Sequence, residues 1–67
     1  MIKLYLLYSR YLTEENINHE YLMIITSSKQ QLNQQIKNLF TKNPDEKLRL
    51  EVWNIQTMSI FKYYLKT

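Results

Sequence analysis

The chain of 67 residues has no cysteine, no glycine, one proline and one histidine. Without cysteine there is no disulfide and no thiolate metal site. Without glycine, the loops that cradle phosphates in P-loop and dinucleotide-binding proteins lack the residue they are built from. Any backbone position that needs positive φ must be filled by a residue carrying a Cβ. The single histidine, His19, would have to serve every Ser–His–acid arrangement, beside Ser9, Ser27, Ser28 or Ser59, and none of these serines sits in a nucleophile signature. No stretch approaches the roughly 18 apolar residues that span a bilayer. The longest apolar runs, 4–8 and 21–25, have the length of strands. Met-Ile-Lys at the start is not followed by a signal-peptide core and cleavage site, so a cytoplasmic location is expected.

What is present describes a folded protein. Hydrophobic residues make up 45% and aromatic residues 13% of the chain, well above the composition of disordered segments. One small domain over 1–67 is expected. A domain of this size buries only about 60% of the surface its unfolded chain exposes, which leaves a thin core and makes association a route to stability. The net charge is +3, a mild bias towards anionic partners. The basic residues are scattered and form no run.

Residues 2–11 alternate as a strand, with Ile2, Leu4, Leu6 and Tyr8 on one side and Lys3, Tyr5, Leu7 and Ser9 on the other. Residues 12–19 are a polar loop. Residues 20–26 form a second strand, and their near-continuous apolar run suits a central place in a sheet. Ser28 followed by Gln31 matches a capping box. Leu32, Ile36, Leu39 and Phe40 then recur at helical spacing. Lys42 suits a last turn, Asn43 can take the left-handed position after it, and Pro44 blocks continuation. These signals predict a helix over 29–42. Residues 47–55 alternate strictly, with Leu48, Leu50 and Val52 opposite Arg49, Glu51 and Trp53. The tail from 59 fits a short helix or a strand; its aromatic richness favours a strand hairpinned through 56–58. The expected fold class is α+β, a two-layer ββαββ domain with an antiparallel sheet and one helix packed on one face.

The chemistry these residues offer is sparse. His19 follows Glu15 by four residues but in a polar loop, not on a helix face, so with Glu15 or Glu20 it offers at most a weak metal site or a bridge between chains. The carboxylates form no calcium loop, and no metal is expected. Glu14 and Glu15 are neighbours in a polar loop and lack the burial that tunes a carboxyl for acid–base work. No cofactor site is legible, and the chain reads as non-enzymatic.

Surfaces are more informative. One helix covers one sheet face, and the other would expose Tyr5, Leu7, Trp53, Ile55, Ile60 and Tyr64. A soluble monomer rarely leaves so large an apolar patch open, and Trp and Tyr are enriched at binding hot spots. The candidate partner-binding residues are Tyr5, Leu7, Arg49, Trp53, Ile60, Lys62 and Tyr64. The occupant would be another protein or a second copy in a homodimer. Two alternatives use the same residues. Lys3, Tyr5, Arg49, Trp53, Lys62 and Tyr64 could stack bases and contact phosphates, although the aromatic and glycine signature of RRM proteins is missing. The C-terminal segment could also fold over the face and make Trp53 ordinary core.

The small size and the bias towards Lys, Asn, Ile and Tyr resemble the short accessory proteins of phages and mobile elements of AT-rich Gram-positive bacteria. Anti-defence proteins of the anti-CRISPR type are among these. The resemblance implies a non-catalytic inhibitor that occupies a partner protein's surface, and it assigns no residue.

Overall fold

The computed structural model describes residues 3–65. In chain order it comprises β1 (Lys3–Leu12), β2 (Asn18–Thr26), α1 (Lys29–Lys42), β3 (Lys47–Asn54) and β4 (Ser59–Leu65). The four strands form one antiparallel sheet in the order β2-β1-β3-β4. The protein is therefore an α+β fold with β-β-α-β-β order, and the tail is a strand. Ile2 and Lys66 lie outside the described residues.

α1 spans the expected residues because both of its ends carry local stop signals. At the start, Ser28 Oγ accepts the Gln31 N–H at 3.2 Å. The return half of the capping box differs from expectation. Gln31 Oε1 accepts from the Thr26 hydroxyl at 2.7 Å, and that hydroxyl accepts the Ser28 N–H at 3.0 Å. The buried Thr26 thus relays the side chain of Gln31 to the backbone of the cap. At the other end Asn43 is extended, with φ −143°, and does not take the left-handed position. Its N–H still closes on Leu39 O at 2.9 Å. Its side-chain oxygen accepts the Asp45 N–H at 3.1 Å, so it ends the helix by opening the next turn.

β1 is a central strand and β2 is an outer one, the reverse of what the apolar run at 21–25 suggests. A β-bulge explains that run. Leu7 pairs with Ile24 and Tyr8 with Leu22, leaving Met23 as the extra residue. Apolar residues on either side of Met23 therefore point to opposite faces. On one face lie Tyr5, Leu7 and Ser9 with their partners Val52, Leu50 and Leu48. On the other lie Leu4, Leu6, Tyr8 and Arg10, opposite Trp53, Glu51, Arg49 and Lys47.

The core forms on the Leu7 side. Leu7 and Leu48 are fully buried and join Leu32 of α1 in one cluster, with Tyr5, Ile24, Ile36, Leu39, Phe40, Leu50 and Leu65 packed around it. α1 comes closest to β2 and β1. Phe61 and Tyr63 of β4, which share the Leu7 side through Val52 and Leu50, remain half exposed. Ser9 is buried beside this core and donates to Glu46 of the α1–β3 turn, which ties that turn to the middle of the sheet.

With no glycine available, two residues take positive φ with a Cβ in place. Asn16 does so at 61° in the β1–β2 turn, and Met58 at 57° in the β3–β4 turn. Asn tolerates this region through local hydrogen bonding, whereas an unassisted side chain costs about 1–2 kcal/mol there. Met58 is also 83% exposed, so packing offsets little of that cost. Met58→Asn is expected to raise the unfolding free energy by about 1 kcal/mol, seen as a higher urea midpoint at unchanged slope. An unmoved midpoint would mean that the turn does not hold Met58 in this conformation.

Candidate functional site

The face opposite Leu7 carries an ordered polar cluster within an apolar surround. β3 supplies Arg49, Glu51 and Trp53 on alternate positions. Arg49 Nε donates to Glu20 Oε2 of β2 at 2.6 Å, and its Nη1 donates to Glu51 Oε2. Trp53 Nε1 donates to the other oxygen, Glu51 Oε1, at 2.9 Å. Two strands away, Glu20 reaches Arg49 across β1, and β1 places Tyr8 against the bridge: the Arg49 guanidinium lies 4.3 Å from the Tyr8 ring centroid. The Arg10 guanidinium lies 5.0 Å from the Tyr64 ring centroid. Arg10 Nε is 3.8 Å from Glu20 Oε2, an ion pair too long to be a hydrogen bond. Residues of all four strands meet in this one arrangement.

The bulge at Met23 makes the arrangement possible. Beyond it, β2 pairs Glu20 with Arg10 and Leu22 with Tyr8. Were the same residues paired in a regular ladder with no bulge, Glu20 would share a side with Ile24, in the core.

Burial sets the electrostatics. The side chains of Arg49 and Glu51 are only 14% and 10% exposed, so their charges are shielded from water and must satisfy each other. The Trp53 N–H, and then the Arg49 guanidinium, hold the Glu51 carboxyl below its ordinary value despite burial, which pushes it up. The hydrogen bond to Glu20, helped by Glu51, raises Arg49 further. The centre of the face is thus internally neutralised, and Arg49 has little capacity left for an external phosphate.

Around this centre the face is largely apolar, with Lys47 and Lys62 as its charged members. Leu22 and Ile25 are exposed on the β2 side, and Ile60 and Tyr64 on the β4 side. At the hairpin end, Trp53, Ile55, Met58 and Ile60 line a shallow concavity.

The sequence-stated candidates divide between the two faces. Arg49, Trp53, Ile60, Lys62 and Tyr64 come together on the Glu51 face, through the pairs Arg49–Tyr64, Glu51–Lys62 and Trp53–Ile60. Tyr5 and Leu7 do not join them. Leu7 is fully buried and Tyr5 packs against the same core, so their expected place on the open face is corrected. Both sides of β1 are apolar, and its pairing with β3 sets Leu6, not Leu7, beside Glu51. The structure adds Tyr8, Arg10, Glu20, Glu51, Leu22 and Ile25 to this face. The one sequence signal for them is opposite charge at Arg10 and Glu20, in step across a hairpin. Among the described residues, no three His, Asp or Glu side chains converge to hold a metal ion.

Because Glu51 is held below its ordinary value of 4.5, its contribution to stability is present above that value and is lost as pH falls through the lowered one. Glu51→Gln is expected to cost about 2 kcal/mol at pH 7. The gap between wild type and variant should begin to narrow as pH falls below 4.5 and keep narrowing until pH passes the lowered value, where the wild-type carboxyl is neutral as well. Urea unfolding at pH 7 and pH 3 reads both; a gap that stays constant would remove the ion pair as its cause.

No family model matches this chain, and neither the curated proteins nor the solved structures contain a match to it.

Proposed function

We propose that this protein is a non-enzymatic, cytoplasmic protein-binding module. α1 covers the Leu7 side of the sheet as a second layer, and the Glu51 face docks onto another protein. In such a role it inhibits by occupying its partner's surface, as the resemblance to anti-defence proteins implies. The observation that supports this is a self-neutralised Arg49–Glu51 centre surrounded by exposed Leu22, Ile25, Ile60 and Tyr64. A centre in which Arg49, Glu51 and Trp53 are already paired is cheap to desolvate, and an aromatic and aliphatic surround supplies the apolar area. A phosphate-binding face would instead leave its guanidinium groups free. Here Arg49 bonds two carboxylates, while Arg10, whose buried Nε makes no hydrogen bond, lies 3.8 Å from Glu20 and against the Tyr64 ring. No helix among the described residues is long and apolar enough to cross a membrane.

The test is affinity capture from a lysate of the source organism, eluted along a salt gradient. A protein should remain bound at high salt and be lost with Leu22→Glu, a change at an exposed position that leaves the core intact. Trp53→Ala, checked for folding by circular dichroism, should weaken the same complex by roughly thirtyfold or more, the effect of removing a hot spot. Retention of nucleic acid that elutes steeply with salt would replace this reading with the nucleic-acid one.

A further inference from the structure

Folded monomers follow an area–mass relation that gives about 4,600 Å² for a chain of 8.3 kDa. This protein exposes 5256 Å². The surplus of roughly 700 Å² is close to the ~800 Å² that each partner contributes to a complex of standard size. The shape agrees. The radius of gyration is 12.8 Å, against about 11 Å for a compact domain of this length. The molecule is a slab of 41 × 24 × 16 Å, with surface to spare along its sheet.

Much of that surface lies on β4. Ile60, Phe61, Tyr63 and Tyr64 are each 50–62% exposed, and they are distributed over both faces of the strand. β4 is also an outer strand, paired with β3 on one side only. Natural edges are protected by proline, bulges or charge. β4 has no proline, pairs with β3 without a register break, and carries one charge, Lys62. The opposite edge, β2, is interrupted by its bulge and begins with Asn18, His19 and Glu20.

We infer that β4 pairs with β4 of a second copy, antiparallel about a two-fold axis at Lys62, so that two sheets of four strands become one of eight. The inference rests on reading the exposed apolar surface as an interaction surface, and it names the occupant of one edge. The strand is close to self-complementary. Residues equidistant from Lys62 are Phe61 with Tyr63 and Ile60 with Tyr64, so aromatic and aliphatic side chains meet at each step. Only this register pairs all seven residues of β4 while keeping like faces together; a slip of one residue would exchange the faces. Lys62 then lies beside its own copy. This like-charge contact opposes pairing, and Glu51 beside it on β3 of each chain, already bonded to Arg49 and Trp53, offsets it only in part.

The absence of cysteine from the chain makes a clean test available. Lys62→Cys should form a disulfide-linked dimer under mild oxidation. Phe61→Cys and Tyr63→Cys should form at least about tenfold less, because directly opposed residues fall within disulfide reach and those two registers away do not. In parallel, light scattering on the wild-type chain over a dilution series should show a dimer mass that halves on dilution, with association favoured by salt because each copy carries +3. A wild-type protein monomeric at every concentration overturns the inference, as does preferential cross-linking at 61 or 63. A monomer that still captures its protein partner sinks the dimer alone. A dimer cross-linked through 62 that captures nothing upholds it and removes the foreign-partner reading.

Discussion

Arg49 is the point on which the exposed side of this sheet depends. It starts on β3, crosses over the Tyr8 ring of β1 and ends on Glu20 of β2, while a second nitrogen engages its own strand at Glu51. A guanidinium can do this because its donors fan out in a rigid plane, and a lysine could not reach both carboxylates with fixed geometry. The bridge fixes three strands in register on the side where Leu32 of α1 supplies no packing. Leu6, opposite Glu51 on β3, is buried on this side of the sheet.

The two sides of the sheet solve different problems. The Leu7 side gains stability from apolar burial, and its cluster is small, centred on Leu7, Leu32 and Leu48. The Glu51 side gains definition from polar pairing. A buried ion pair is often no more stabilising than well-packed apolar residues, but breaking one member is costly. Such a cluster penalises alternative registers, in which Arg49 or Glu51 would be buried alone, more than it strengthens the correct one. In a chain with so little core, that selectivity favours one strand pairing over its neighbours.

How far the sequence could be read depended on whether the decisive signal was local. α1 was legible to the residue because Ser28, the Leu32–Phe40 stripe, Lys42 and Pro44 act within one or two turns. The alternation of β3 was equally plain. β2 was misplaced because a strand with a bulge at Met23 shows an unbroken apolar run, which looks like double-sided burial. The side of Tyr5 and Leu7 is hidden for a related reason: both sides of β1 are apolar, and only its long-range pairing with β3 decides which side meets Glu51. Five of the seven candidate residues do share one surface. Their polar organisers, Glu20 and Glu51, stayed hidden because isolated charges on strands read as ordinary solvated positions.

Met23 has a consequence that reaches past its own strand. Strand side chains are sorted between two faces by simple parity, and a bulge breaks that count by holding one residue out of the ladder. Residues 18–22 owe their side of the sheet to Met23 being left unpaired. The charged cluster is therefore assembled by a count, not by a gradient of preference: were β2 paired in step through Met23, Glu20 would be delivered to the core and Arg49 would lose its far anchor. Length variation in this strand is thus discrete in effect: loss of Met23 alone would restore a regular ladder with Glu20 still opposite Arg10, whereas loss of Tyr21 with the bulge kept would turn Glu20 to the other side.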